Sequence, residues 1–416
     1  MAKKVYLITR RGLAYRVSTS PPAEGEHGVL FESENGIAWD ASEIQGGGVI
    51  YPSWVSVADD GSRPLVSANP TLGQYWVNGI TYTSKAEFEA AELAAVLANG
   101  YQSMTLVAWY TTPANHSAVQ VIWTLSDGTT SNRIANRRQV SPNIALNVGF
   151  GGVEQAGTSG ISVGNAAQSA DSTAIRTAFG WALNDLIVSV AGAGTSDLSA
   201  SIPTGLNNIV RLSNYDTVCT RYDIWPSKLS TLETLSWTAA DNALMANGDS
   251  FVEGGVNGGP VFPSILQSTS GRTVLNYGKG GNTIEQIMAR QTRSPRAKNF
   301  TQIIWDGDQN GIVSVSDYIA KIKAGMAGYG KFIILPPFVD RGQTDVSQEV
   351  AIRDAMVAEF GSKVLDWRDF ATLDGNGNPT DAMYFKTDGT DNIHGSTALM
   401  NAAATAVVNK LTALSY

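Results

Sequence analysis

The sequence predicts a multidomain chain in three parts. Residues 1–100 form an irregular N-terminal region with some β-structure, residues 101–238 a β-sandwich, and residues 239–416 an α/β domain built on a parallel five-stranded sheet. Three observations carry this. The length of 416 residues exceeds what one ordinary hydrophobic core organises. Glycine is abundant (42 residues) and charge is low (16%), which favours turn-rich β-structure over helical bundles. Near residue 239 the pattern changes from short β runs to alternating strands and helices.

In the first region short strand-like pieces, Val5–Ile8, Val29–Phe31 and Val49–Tyr51, lie between Gly-, Pro- and Ser-rich turns. The region ends in a predicted helix from about Ser84 to Ala98. There Phe88, Ala91, Leu93 to Ala95 and Leu97 repeat at near-helical spacing, and Gly100 supplies a stop. Nothing in it suggests chemistry, so attachment or connection is its expected role.

In the second region β-branched and aromatic runs recur, among them Met104–Tyr110, Val119–Leu125, Ile144–Phe150, Ala178–Leu183 and Arg221–Trp225. Turn signals such as Ser126-Asp127-Gly128 and Gly192-Ala193-Gly194 separate them, the pattern of a two-sheet sandwich. The lone cysteine, Cys219, reads as a buried strand thiol and excludes an intramolecular disulfide framework. Arg133, Arg137 and Arg138 read as a solvated turn.

In the third region the predicted strands are Asn242–Ala246, Thr273–Asn276, Gln302–Trp305, Phe332–Leu335 and Val364–Asp366. The predicted helices are Val261–Gln267, Ile284–Gln291, Ser316–Ala327, Ser347–Phe360 and Thr397–Leu411. Such alternation builds a parallel sheet covered on both faces. Ligands in such sheets bind outside the carboxyl ends of the strands.

At that edge two segments supply the parts of acyl transfer. Asn247-Gly248-Asp249-Ser250 sets a serine just after an apolar run. Asp391-Asn392-Ile393-His394 sets a carboxylate three residues before an imidazole. A nucleophile, a base and an orienter are what a serine hydrolase needs. The chain has three histidines, His27, His116 and His394, and only His394 shares a domain with Ser250. Asp249 reads as a turn former, and Asp388 as a poorer-spaced rival of Asp391. Donors for a developing oxyanion come from Gly280-Gly281-Asn282-Thr283 as a backbone N–H and from Asp306-Gly307-Asp308-Gln309-Asn310-Gly311 as a side-chain amide. Asp306 and Asp308 themselves read as a solvated acidic turn. One histidine and no cysteine in this domain are too few ligands for a catalytic zinc, so neither metal nor cofactor is expected.

These motifs resemble the SGNH (GDSL-like) hydrolases over roughly residues 242–411. The resemblance implies a flavodoxin-like sheet, Ser250 as nucleophile, His394 as base and Asp391 as orienter. It also implies an oxyanion hole from the Ser250 N–H, Gly281 and an amide. The usual Gly-x-Asn of the third motif is replaced by Gly307-Asp308-Gln309-Asn310. Spacing favours Gln309 and residue type favours Asn310, the choice taken. There is no Gly-x-Ser-x-Gly elbow of the ordinary α/β-hydrolases.

The run from Tyr222 to Glu233 resembles the close of the concanavalin-like or laminin-G-like sandwiches of phage tail proteins, a lectin-like jelly roll. Trp109, Tyr110, Trp123, Trp181 and Tyr215 are aromatics that would stack on sugar rings where exposed, although core packing suits most of them. The order of parts looks like a phage tail-fibre or tailspike esterase. That implies an acetylated cell-surface polysaccharide as substrate, other tail proteins as partners of the N-terminal region, a homotrimer and a place in the virion.

Two rival readings stand beside it: a non-enzymatic receptor-binding tail protein with a vestigial site, and a lipase or thioesterase. The latter needs an apolar acyl groove, which Phe251-Val252-Glu253-Gly254-Gly255 is too short and Gly-rich to show. A net charge of -8 without a basic face argues against nucleic acid. The apolar patch Val5–Ile8 is too short for a signal-peptide core, and no run approaches a membrane span, so synthesis in the host cytoplasm is expected.

Overall fold

The computed structural model describes residues 3–10, 13–18, 27–33, 55, 63–111, 120–129, 132–138, 143–150, 153–154, 160–164, 174–190, 193–197, 202–211, 219–255, 259–291, 296–307, 310–341, 343, 345–375, 377–384, 391 and 393–416. Strands β1 (Lys3–Arg10), β2 (Leu13–Ser18) and β3 (His27–Ser33) form a small antiparallel sheet in the order β2-β1-β3. Val5–Ile8 and Val29–Phe31 fall within its strands. Val49–Tyr51 lies outside the described residues.

The sheet of the second region runs across the boundary expected at residue 100. Strands β4 (Val66–Asn69), β5 (Gln74–Val77) and β6 (Ile80–Tyr82) precede helix α1 (Lys85–Asn99) and strand β7 (Met104–Thr111). β4 pairs with β17 (Cys219–Trp225), which pairs with β7, so residues from 66 onward belong to the sandwich. The Ser67 hydroxyl donates to the buried Asp223 carboxylate across that junction. Ser84 caps α1, as its position before a Glu at the third helical residue favours. Phe88 and Val96 of α1 enter the sandwich core.

This sheet continues through β13 (Ala174–Ala182), β14 (Asp185–Val190) and β15 (Ala193–Asp197). Facing it is a second antiparallel sheet containing β8 (Gln120–Ser126), β9 (Arg133–Arg138) and β10 (Asn143–Phe150). Leu106, Phe179 and Val188 from one sheet and Leu125 and Ile134 from the other fill one core. Trp123 and Trp181 meet across it with ring centroids 6.0 Å apart. Both are buried, so they serve packing and leave no face for a sugar. Trp109 is half-buried under the Arg221 guanidinium. Tyr215 lies outside the described residues. Arg133 to Arg138 form strand β9 rather than a turn, with Arg133 buried. Alternation with Ile134 and Ala135, both core residues, draws the segment into the sheet. Cys219 is buried in β17, as the sequence suggests.

The third region contains β18 (Leu244–Gly248), β19 (Val274–Gly278), β20 (Thr301–Trp305) and β21 (Phe332–Leu335), all parallel, in the order β19-β18-β20-β21. The sheet has four strands, not five. The fifth candidate, Val364–Asp366, makes only an isolated bridge from Val364 to Ile334. Single 3-10 turns at Gly361–Lys363 and Trp367–Asp369 flank it, and Asp366 caps the second, so no residues remain for a ladder. Two apolar cores sandwich the sheet, one containing Ala246, Trp305, Leu335 and Val407, the other Met245, Ile304, Ile322 and Ile352. That burial on both faces explains the unbroken apolar strand runs.

Candidate active site

Central strand β18 is buried along its whole length and delivers the chain to the carboxyl edge of the sheet. Asn247 fixes its register by donating to Gln302 of β20 at 2.9 Å. A four-residue helix, α2 (Ser250–Glu253), begins immediately after Asp249. The Asp249 carboxylate caps it by accepting the Phe251 N–H at 2.9 Å, so Asp249 shapes the turn as the sequence suggests. Helix α2 rests directly on the end of β19. A Cβ at Gly278 would lie 2.0 Å from the Glu253 nitrogen, so only glycine permits this seat. Ser250 is thereby held at the rim, 7% exposed.

The loop before helix α3 (Thr397–Ala413) carries the imidazole. Asp391 folds back on it: Oδ1 accepts the N–H groups of Ile393 at 3.2 Å and His394 at 3.0 Å. His394 Nδ1 lies 2.9 Å from Oδ2 and 3.0 Å from Oδ1 of the same carboxylate. Burial alone would raise the Asp391 carboxyl, but these three hydrogen bonds together hold it below its ordinary value. With Nδ1 committed, Nε2 is the nitrogen left for proton transfer. Asp388, the rival orienter, lies outside the described residues.

Ser250 and His394 line one small pocket with Phe251, Gly254, Gly255, Gly259, Pro260 and Met400, a cavity of about 10 Å³. Among the described residues the ring's hydrogen bonds run to Asp391 and none reaches the Ser250 hydroxyl. Phe251 forms the floor, its ring centroid 6.1 Å from that of His394 and 5.3 Å from that of Trp305.

Gly281 lies in the turn after β19 with φ +71°, a conformation open to glycine. The preceding residue brings that turn against Ser250: a Cβ at Gly280 would stand 3.6 Å from the Ser250 Cβ. The Asn310 amide donates to Asp249 Oδ2 at 3.4 Å, so the third motif also closes on the nucleophile turn. Gln309 and Asp308 lie outside the described residues. Asp306 is buried at 1% exposure rather than solvated. The buried Tyr318 phenol feels its charge: burial first, then the charge of Asp306, push the Tyr318 pKa well up.

Sequence reasoning missed two residues here. Tyr318 sits among helical apolar positions and looks like core. Glu253 looks like a solvated helix residue, yet it grips the Gly280 N–H at 2.6 Å. The one available signal was its place three residues after Ser250.

No family model matches the chain, and no curated protein does. Solved structures are similar to parts of it. One, described as a lipolytic protein of the G-D-S-L family from Desulfitobacterium hafniense, shares 18% identity over 41% of this chain and 99% of that one, with a TM-score of 0.33. A catalytic mutant of Axe2, an acetylxylan esterase from Geobacillus stearothermophilus, shares 18% over 41% and 94%, with a TM-score of 0.31. The CBM40 domain of a Ruminococcus gnavus IT-sialidase shares 15% over 35% and 87%, with a TM-score of 0.28.

Proposed function

We propose that the third region is a serine esterase that removes small acyl groups, O-acetyl above all, from a carbohydrate polymer. The observation that carries this reading is the pocket in which Ser250 meets an imidazole already oriented by a buried carboxylate. His394 Nε2 takes the Ser250 proton as Oγ attacks the ester carbonyl. The tetrahedral oxyanion is held by the N–H groups of Ser250 and Gly281 and by the amide of Asn310, with Gln309 as the alternative donor. Collapse expels the sugar hydroxyl, which recovers the proton from His394. Water then enters, gives its proton to the same imidazole, and releases the acid from the acyl-enzyme.

The space beside Ser250 is small, about 10 Å³, the room of about one water, and this is what favours a short acyl group over a long chain. In the fuller form of this reading the sandwich contacts the polymer, the N-terminal region attaches to other tail proteins, and three copies act together on a phage tail fibre. The order of the three regions is what supports that form.

The test is hydrolysis of p-nitrophenyl esters by the whole chain and by Ser250→Ala. Turnover of the acetate should fall by on the order of 10⁶ in the variant. The wild type should prefer acetate to octanoate by at least about tenfold. A folded Ser250→Ala protein that hydrolyses acetate like the wild type would end the esterase reading.

A further inference from the structure

We infer that Glu253 is a positioning residue that aims the backbone N–H of Gly281 at the oxyanion, a role that rests on the esterase reading above. Glu253 closes the helix that Ser250 opens. Its carboxylate leaves that helix and enters the turn after β19. Oε2 accepts the Gly280 N–H at 2.6 Å, and Oε1 pairs with Lys279 at 3.2 Å. Its own carbonyl accepts from Asn276 at 3.1 Å. One residue therefore ties the nucleophile helix to the strand end, to the turn and to the turn's first cation.

The turn itself runs from Lys279 to Asn282, closed by the Asn282 N–H on the Lys279 carbonyl at 3.2 Å. Gly281 is its third residue, with φ +71°. The peptide joining Gly280 to Gly281 is thus the central peptide of a β-turn. Central peptides are the ones that invert between turn types, and inversion would reverse the direction of the Gly281 N–H. Two glycines in the central positions give the inversion little steric resistance. The Lys279 N–H is already fixed on the Gly248 carbonyl at 3.0 Å, and Arg290 holds the far side through the Tyr277 carbonyl at 3.2 Å and the Asn282 side chain. Between these anchors the Gly280 N–H is held by Glu253.

The carboxylate is kept ionised there. The Gly280 N–H, then Lys279 and Arg290, hold the Glu253 carboxyl below its ordinary value against the opposing effect of burial. A negative charge near an oxyanion hole would oppose catalysis by itself, and the Lys279 ammonium offsets it. What the site needs from Glu253 is an acceptor atom at the right place, not a charge.

That distinction sets the experiment. Whole-chain Glu253→Ala and Glu253→Gln are compared with wild type and Ser250→Ala on p-nitrophenyl acetate, with thermal unfolding of each. Gln keeps an oxygen acceptor for the Gly280 N–H, so its kcat should stay within about threefold of wild type. Ala removes the acceptor, and kcat should fall by about 10- to 100-fold with KM little changed, somewhat less than loss of an oxyanion donor. If Glu253→Ala does not fold, Glu253→Met, which keeps the stem and lacks the oxygen, takes its place. Undiminished kcat in the folded Ala or Met variant overturns the inference. So does a Gln variant as impaired as Ala, or a loss confined to KM. An inert wild type, or a Ser250→Ala variant equal to it, instead overturns the esterase reading on which the inference rests.

Discussion

The Asp391 carboxylate holds both the backbone and the ring of His394: Oδ1 takes the N–H at 3.0 Å and Oδ2 lies 2.9 Å from Nδ1. One side chain therefore sets where the loop carries the imidazole and which tautomer it adopts. Asp391→Asn would face the ring with an amide donor and favour the wrong tautomer. Turnover should fall by on the order of 10⁴ while substrate affinity is retained. Steady-state kinetics on an acetyl ester checks this; a fall of only a few-fold would remove Asp391 from the orienting role.

The same pair has a pH signature. Hydrogen bonding depresses the Asp391 carboxyl in the folded chain below its ordinary value of 3.8. Its contribution to stability is therefore complete above that ordinary value and is lost as pH falls through the lower, folded one. The gap in thermal stability between wild type and Asp391→Asn should be constant from neutral pH down to about 5 and shrink below about 4. A gap that widened on acidification would mean that the carboxyl is raised, not lowered.

Asn310 and Gln309 are the two candidates for the amide donor of the proposed oxyanion hole. The Asn310 amide lies 3.4 Å from Asp249 Oδ2, beside the residue that caps the nucleophile helix. Asn310→Ala should lower kcat by about 10²–10³ with KM little changed, the usual effect of losing a side-chain oxyanion donor. Gln309→Ala should do much less. The reverse order of effects would make the ungapped Gly-x-x spacing the better guide and leave Asn310 as a turn residue.

Much of this site was legible because its parts are local. Ser250 follows an apolar run, and Asp391 and His394 share one loop. The strand-then-helix order was legible for the same reason: β18, β20 and β21 are buried along their whole length and read largely as apolar blocks, while β19 alternates. What was hidden depends on partners far along the chain. Val66–Asn69 is too short to stand out, and its place in the sandwich comes from pairing with Tyr222 to Ile224. Asp306 looks like part of a polar turn, yet it is buried in the fold, where its charge reaches the buried Tyr318 of the following helix. Val364 is apolar like its neighbouring strands, but 3-10 turns on both sides, the second capped by Asp366, use up its flanks. Glu253 signals only its place three residues after Ser250, not its grip on Gly280, 27 residues away.

The seat of the nucleophile helix on β19 yields a contrast between two glycines. A Cβ at Gly278 would meet the Glu253 nitrogen at 2.0 Å and the Val252 carbonyl carbon at 2.4 Å, both backbone atoms. A Cβ at Gly281 meets nothing within 4 Å, but its φ is +71°. Gly278→Ala must displace the helix, so it should cost about 3 kcal/mol or more of stability and nearly all activity. Gly281→Ala should cost only about 1–2 kcal/mol, from backbone conformation. Denaturant unfolding of both variants tests this, and equal costs would show that the helix can shift freely on the strand end.

The segment between sandwich and catalytic region decides how the two can be separated. A helix at Thr231–Thr238, capped by Ser230 and Glu233 in a reciprocal box, spans the junction. Its Trp237 packs with Trp225 and Trp109 of the sandwich, at centroid distances of 5.5 and 6.0 Å. Its Leu232 and Leu235 pack instead on the core of the parallel sheet. Ser236 shares a hydrogen bond of 2.8 Å with Tyr277 of β19. At its C-terminal end the buried Arg296 donates to the carbonyls of Ser236, Trp237 and Ala239. Burial first, then the nearby Arg176, lower the Arg296 pKa to about 10 despite its pairing with Asp241.

A fragment beginning at residue 239 would lose Ser236, Trp237, Leu232 and Leu235, leaving Arg296 only Ala239 and Asp241, and would expose the apolar ground beneath the two leucines. A fragment beginning at residue 229 would keep them. The longer fragment should therefore unfold at clearly higher temperature, and it should cleave a small acetyl ester like the whole chain. It should be much weaker on an acetylated polymer, where the sandwich would add extended contact and avidity. Equal stability of the two fragments would show that the helix belongs to the sandwich alone. Undiminished action of the longer fragment on the polymer would reduce the sandwich to a spacer.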